Sequence, residues 1–198
     1  MLKLTFASVL LFSSITAQQA DTARQYRIDN NHSTVGFSVS IMGGLSKVNG
    51  KFTDFAVTLT NDEKDITKSS VSVAIKAASI NTGIAARDND LRTAAFFDVE
   101  KYPEITFQSK RIEKEGKQLI AVGTLTMHGV SKEIVLPFTI TGVNKDAGAK
   151  KMNVGYAAGI TLNRRDFGIN WEHPSVPNFV GDNVEIEIKL ITRAIDMK

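Results

Sequence analysis

The chain has 198 residues, 42% of them hydrophobic, which suits one domain with a full core. Its 24 Lys and Arg residues barely exceed its 21 Asp and Glu residues, and the two kinds are interspersed, so we expect no nucleic-acid partner. The sequence contains no cysteine, which excludes disulfides and thiol chemistry and leaves stability to the core.

The N-terminal residues have the pattern of a secretory signal. Lys3 supplies a positive charge, and residues 4–15 form an apolar run that is too short to span a bilayer. We predict that residues 1–17 are a signal peptide removed on export to the periplasm or beyond the cell, with cleavage after Ala20 as the alternative. Residues 24–196 are then expected to form a single domain without an integral membrane segment.

Most of the remaining chain alternates apolar and polar residues, as strands with one buried face do. The first half contains four such segments, at residues 35–41, 48–59, 71–75 and 105–111. Within the second segment the apolar residues stand at even-numbered positions up to Phe52 and at odd-numbered positions from Phe55, so the alternation shifts by one residue near Thr53. We therefore predict a bulge or bend at that position.

The alternation stops between residues 83 and 95. There Ile84, Asp88, Leu91 and Ala95 recur at spacings of three and four residues, which indicates a helix. We predict one short helix inserted between the third and fourth strands.

The second half of the chain is more regular. Residues 119–127 and 132–140 form a predicted hairpin around His128-Gly129, where glycine adopts a positive φ at little cost. Strands at 152–162 and from residue 184 onward follow. Residues 163–182 between them form a long irregular connection, and a loop of that length is usually functional.

Eight antiparallel strands with one helical interruption favour an all-β, up-and-down barrel. A barrel of this size either holds one small ligand or is filled by its own side chains. A β-sandwich would also accept eight strands, but the hairpins follow one another without the long crossovers of a Greek key. An imperfectly closed barrel would expose a strand edge and favour a homodimer.

Several motifs follow one another from residue 26 to residue 182. They are YRID from Tyr26, HSTVGF from His32, VNGKF from Val48, SINT from Ser79, RD at Arg87, LR at Leu91, FFDV from Phe96, KYP from Lys101, ITF from Ile105, GTLTMHGV from Gly123, NRRDFGI from Asn163 and VGD from Val180. Their order resembles that of the YceI-like family of bacterial periplasmic proteins. Asn30 and Ser131 depart from the proline and threonine that are more frequent in that family.

The resemblance implies a lipocalin-like, eight-stranded antiparallel barrel that holds a long isoprenoid chain, of polyprenyl phosphate or quinone type. An isoprenoid tail has no hydrogen-bonding groups, so its binding requires an apolar tunnel and gains about 25 cal/mol per Å² buried. We expect the following side chains to line that tunnel: Phe37, Val39, Ile41, Phe52, Val73, Ile75, Leu91, Phe96, Phe107, Leu125, Phe138 and Ile160.

Three arginines are candidates for contacts with a ligand head group, because guanidinium binds phosphate through two parallel hydrogen bonds. They are Arg87, Arg164 and Arg165. The head-group contact is the second interpretation of these residues; the first is that Arg87 orients the short helix and that Arg164 and Arg165 fix the long loop.

Catalysis has little support in the sequence, and we expect no enzyme, no cofactor and no metal. The chain has no local phosphate-loop, nucleophile or metal-binding motif. Convergence of His32, His128 and His173 on a metal is a minor alternative. Two other hypotheses remain: a hydrolase or isomerase that acts on a lipid-like substrate through His128 or Asp88, and an interaction protein with a filled barrel.

Overall fold

The computed structural model describes residues 23–62, 64–116, 118–148, 150–193 and 195–196, so the predicted signal segment 1–17 lies outside the described residues. Within them the chain forms twelve strands, one α-helix and short 3-10 turns. These elements are β1 (Ala23–Arg27), β2 (Thr34–Ile41), β3 (Ser46–Phe52), β4 (Phe55–Asp62), β5 (Ser70–Lys76), β6 (Ile80–Asn81), α1 (Ala85–Arg92), β7 (Glu104–Glu115), β8 (Gln118–Met127), β9 (Val130–Asp146), β10 (Lys151–Asn163), β11 (Val180–Ile191) and β12 (Ile195–Asp196).

The strands form one curled antiparallel sheet, in the order β1-β4-β5-β7-β8-β9-β10-β11-β2-β3-β6, with β12 paired to β10. The all-β antiparallel fold is therefore confirmed. The eight predicted strands correspond to β2, the β3–β4 pair, β5 and β7 to β11. The difference in number comes from the short strands β1, β6 and β12 and from the division of the second predicted strand.

That division lies at the predicted bend. β3 ends at Phe52 and pairs with β2, whereas β4 begins at Phe55 and pairs with β5. At the corner, the backbone amide of Thr53 donates to the carbonyl of Ser79 at 3.1 Å, and the amide of Lys76 donates to the carbonyl of Asp54 at 3.0 Å. β3 and β4 therefore act as one bent strand that leaves one neighbour and joins another.

β1 joins β4, the second arm of this bent strand, to the C-terminal end of β11. It pairs with β4, and its continuation Ile28 forms a β-bridge with Thr192. The amide of Arg193 donates to the carbonyl of Arg27 at 2.8 Å, and that of Asp29 to the carbonyl of Ile191 at 2.9 Å. The wall thus continues from β4 to β11 through β1.

Pairing between β9 and β10 covers only part of their lengths. The last pair is Phe138 with Ala158, after which β9 pairs with β8 alone and β10 with β11 alone. Pro137 lies one residue beyond that pair, at a position where its missing amide removes no hydrogen bond to β10.

The helix is shorter than the predicted span of 83–95. Gly83 has a φ of +80° and α1 begins two residues later. After Arg92 the chain turns, with the amide of Thr93 donating to the carbonyl of Asp90 at 3.0 Å. Among the described residues, no helix is long and apolar enough to cross a membrane.

Antiparallel pairing places the connections at two ends of the barrel. One end, here called the helix end, carries the β2–β3 turn, α1, the β8–β9 turn and the loop between β10 and β11. The far end carries the β4–β5, β7–β8 and β9–β10 connections.

Candidate ligand-binding cavity

The interior of the barrel is hollow. The cavity has a volume of about 270 Å³. One buried water takes up roughly 10–15 Å³ on the same scale, so the space is large enough for an organic ligand. The hypothesis of a barrel filled by its own side chains is therefore disfavoured.

The cavity wall is almost entirely hydrocarbon and contains eleven of the twelve residues predicted to line it. The eleven are Phe37, Val39, Phe52, Val73, Ile75, Leu91, Phe96, Phe107, Leu125, Phe138 and Ile160. Ile41 is not among the wall residues, although its partner Val180 is; it is the last residue of β2, at the tip of the β2–β3 hairpin, where it also pairs with Ser46.

Further wall residues share the parity of those predicted. Leu59 continues the inward face of β4, Leu136 that of β9, and Ile186, Ile188 and Leu190 that of β11. Strict alternation along each strand was the signal that identifies them.

Aromatic rings form part of the wall, and two of them occupy space that is free because the neighbouring residue is a glycine. The ring centroids of Phe37 and Phe52 are 5.9 Å apart, and those of Phe52 and Phe97 are 6.0 Å apart. A Cβ at Gly50 would lie 2.3 Å from Cζ of Phe37, and one at Gly123 would lie 2.7 Å from Cζ of Phe107. These glycines make room for the rings.

Arg164 fixes the long loop to β11. The residue is 5% exposed, and its guanidinium donates to the carbonyls of Ile169 at 2.7 Å and Gly181 at 3.1 Å, and to Oδ1 of Asp182 at 3.0 Å. Burial lowers the pKa of Arg164 from its ordinary value, although the group stays charged. Arg164 borders the cavity, but its donors are engaged by the protein.

Arg165 lies outside the cavity wall. Its Nε donates to Oδ1 of Asp182 and its Nη2 to Oε1 of Glu172, both at 2.6 Å. The hydrogen bond to Asp182 raises the pKa of Arg165. This arrangement matches the interpretation in which the arginine pair fixes the loop, since the carbonyl and carboxylate acceptors compete with any ligand phosphate.

Arg87 is also absent from the wall and binds the segment before α1. Its Nε donates to Oγ1 of Thr82 at 2.8 Å and its Nη2 to the Thr82 carbonyl at 3.1 Å. Asp88 accepts from the amide of Thr82 at 2.8 Å and from its hydroxyl at 2.6 Å, and these bonds lower the pKa of Asp88. The pair therefore anchors α1 to β6.

Two aromatic contacts lie at the helix end. The ring of Phe96, after α1, stacks on Trp171 of the long loop with centroids 5.2 Å apart, and within that loop the ring centroids of His173 and Phe179 are 5.0 Å apart. Phe96 belongs to the wall, so the stack connects the loop to the cavity.

The three histidines have separate partners. His32 Nδ1 is 2.8 Å from Asp29 Oδ2, His128 Nδ1 is 3.0 Å from the carbonyl of Phe167, and His173 Nδ1 accepts from the amide of Ser175. No group of three or more His, Asp or Glu residues in the described part of the chain could hold a metal ion. The histidines are thus not brought together.

Three wall residues near the far end have polar side chains: Asn61, Ser69 and Tyr156. The wall there is still almost entirely hydrocarbon. Burial raises the pKa of Tyr156 to about 12. The sequence had a signal for these residues, because Asn61 and Tyr156 are polar groups on the inward parity of β4 and β10.

Fold and cavity together define an antiparallel β-barrel that encloses an apolar space. A family model described as the YceI-like domain matches residues 26–192, and the chain belongs to this family. Protein YceI of Escherichia coli O157:H7 is 38% identical over 171 residues, which cover 85% of this chain and 86% of that protein.

Solved structures show the same fold. The crystal structure of the YCEI protein of Campylobacter jejuni has a TM-score of 0.65 and 32% identity, and covers 78% of this chain and 87% of that chain. A polyisoprenoid binding domain from Saccharophagus degradans has a TM-score of 0.60 over 86% of this chain and 98% of that chain. Its identity is 17%, so this likeness concerns the fold alone.

Proposed function

We propose that the protein binds a long isoprenoid lipid inside the barrel and carries or sequesters it. The observation that carries the proposal is the hollow interior, whose wall is formed by the inward side chains of most strands. Hydrocarbon walls stabilise an apolar tail by about 0.8 kcal/mol per buried carbon, without directional contacts. The solved domain from S. degradans, which is described as polyisoprenoid binding, supports this class of ligand.

The proposed contacts are the eleven predicted wall residues, with Phe37, Phe52 and Phe107 as the large rings. Their rings cover the tail without fixing its register, which suits a repeating ligand. We infer no catalytic role for Asp88 or His128, because Thr82 and Phe167 engage them in the contacts that hold α1 and the β8–β9 turn.

The proposal includes export. Residues 1–17 would be removed, and the barrel would act in the periplasm or outside the cell. Intact-mass measurement of the exported protein tests this part: a mature chain that begins at Gln18 supports it, whereas export of the uncleaved chain contradicts it.

Lipid extraction tests the binding function. The protein is purified without detergent, extracted with organic solvent, and the extract is analysed by mass spectrometry. We expect a prenyl lipid in amounts comparable to the protein. An empty extract, combined with no uptake of prenyl lipids by the delipidated protein, would refute the proposal.

A further inference from the structure

The hydrogen-bonded wall of the barrel is interrupted between β9 and β10. From the far end the two strands pair as far as Phe138 with Ala158, and among the described residues no pairing joins 130–137 of β9 to 159–163 of β10. Over this length β9 pairs with β8 and β10 pairs with β11. The interruption is here called the β9–β10 seam, and it runs from that last pair to the helix end.

The cavity comes close to the outer surface at the base of the seam. A depression on the outside of the barrel lies where the two strands part, and Pro137 and Gly159 line it from either side. Three more residues of this depression also belong to the cavity wall: Phe138, Ala158 and Ile188. Inside and outside are therefore separated at this place by a single layer of chain.

The turn after β10 closes the part of the seam nearest the helix end. This 3-10 turn, Arg164–Phe167, is here called the plug, and it crosses from the end of β10 towards β9 with Phe167 in the core at 2% exposure. His128 Nδ1 lies 3.0 Å from the carbonyl of Phe167. On β9, Lys132 Nζ lies 3.2 Å from Asp166 Oδ1 and 6.0 Å from the centroid of the Phe167 ring. The plug therefore occupies the space between the unpaired strands.

The plug is attached differently on its two sides. Towards β11 the buried guanidinium of Arg164 donates to the carbonyl of Gly181 and to Asp182, and such charge-assisted bonds are strong when buried. Towards β9 the side chains of the Lys132–Asp166 pair are 41% and 57% exposed, and exposed ion pairs contribute little. We therefore expect the plug to stay with β11 when it separates from β9.

We propose that the ligand enters and leaves the barrel sideways, through the β9–β10 seam, when β9 separates from the plug. Opening at this place preserves the pairing of β9 with β8 and of β10 with β11, and it breaks only the contacts of His128 and Lys132 with the plug. A lateral opening also admits a long tail along its length, so the tail does not have to be threaded from one end. This inference rests on the proposed isoprenoid function and adds the route of exchange.

A reversible cross-link tests the route, and the absence of native cysteine makes the labelling specific. Lys132→Cys and Asp166→Cys are combined in one chain and joined by a short bis-methanethiosulfonate reagent, which locks β9 to the plug. The matched control joins Lys110→Cys to Glu133→Cys. That parent pair is also an exposed ion pair, with Nζ and Oε2 2.8 Å apart, but it lies across the paired strands β7 to β9.

Exchange is followed with a quinone that carries a geranylgeranyl tail, by quenching of Trp171, the single tryptophan, whose ring stacks on the wall residue Phe96. In the locked protein we expect uptake and release to slow at least about tenfold while Kd stays within about threefold, because a gate changes rates and not the end states. A reductant should restore both rates. The control cross-link should leave them unchanged.

Lys132→Met opens the gate more easily without a cross-link, because it removes the ion pair and keeps an apolar side chain against Phe167. We expect uptake to accelerate about two- to fivefold relative to the control Lys110→Met. Exchange by the locked protein at the rate of the unlinked protein, with the same Kd, would overturn the lateral route alone. A parent protein that binds no quinone would overturn the isoprenoid function, and the route with it.

Discussion

Val73→Trp is the most informative perturbation of the cavity. Val73 lies in the middle of β5, between Val57 and Phe107, and forms part of the wall. An indole at this position would occupy the space of at least one five-carbon isoprene unit. At about 0.8 kcal/mol per buried carbon, losing that unit removes about 3–4 kcal/mol of burial, or at least about 100-fold in Kd.

The matched control is Ser72→Trp, which places the same side chain on the exposed face of the same strand. Overpacking alone can destabilise a protein by about 1–3 kcal/mol, so urea unfolding must first show that both variants are folded. Kd is then measured with a prenyl quinone by fluorescence titration. If Val73→Trp folds and binds within about threefold of Ser72→Trp, the proposed tunnel is wrong.

Three further predictions concern stability. Gly50→Ala should lower the free energy of unfolding by about 1–3 kcal/mol, because its Cβ would displace the Phe37 ring; in urea unfolding, Gly142→Ala, with no atom within 4 Å of the new Cβ, should change it little. The lowered pKa of Asp88 means that its contact with Thr82 stabilises the fold above the unfolded pKa and is lost as pH falls through the lower folded value. Acid unfolding of Asp88→Asn should therefore lack part of this pH dependence, and an unchanged profile would contradict it. The raised pKa of Tyr156 predicts that stability falls between pH 10.0 and about 12, where the unfolded chain ionises first; Tyr156→Phe should flatten this alkaline decline, measured by urea unfolding across that range.

The alternation of apolar and polar residues predicted most of the strands. The change of parity near Thr53 located the corner between β3 and β4, although its consequence, a change of pairing partner, depends on distant strands. The short strands β6 and β12 have two residues each, too few for alternation to be recognised, and they form because neighbouring strands offer free backbone groups.

Alternation along a strand predicts the face of the sheet on which a side chain lies, but it does not predict the position of that side chain along the barrel axis. Ile41 shares the face of Phe37 and Val39, yet at the hairpin tip it does not line the cavity. The arginines illustrate another limit. Their charge suggested an anionic ligand, but the groups that Arg164 binds, such as the carbonyl of Gly181, are distant in sequence and became visible only in the folded chain.

Native mass spectrometry of the delipidated protein tests the central claim most directly. The protein is mixed with a prenyl quinone and sprayed alongside Val73→Trp and Ser72→Trp. We predict one quinone retained per chain by the parent and by Ser72→Trp, and little or none by Val73→Trp. Absence of a bound quinone in the parent, or equal retention by all three proteins, would contradict the claim that the barrel interior holds the lipid.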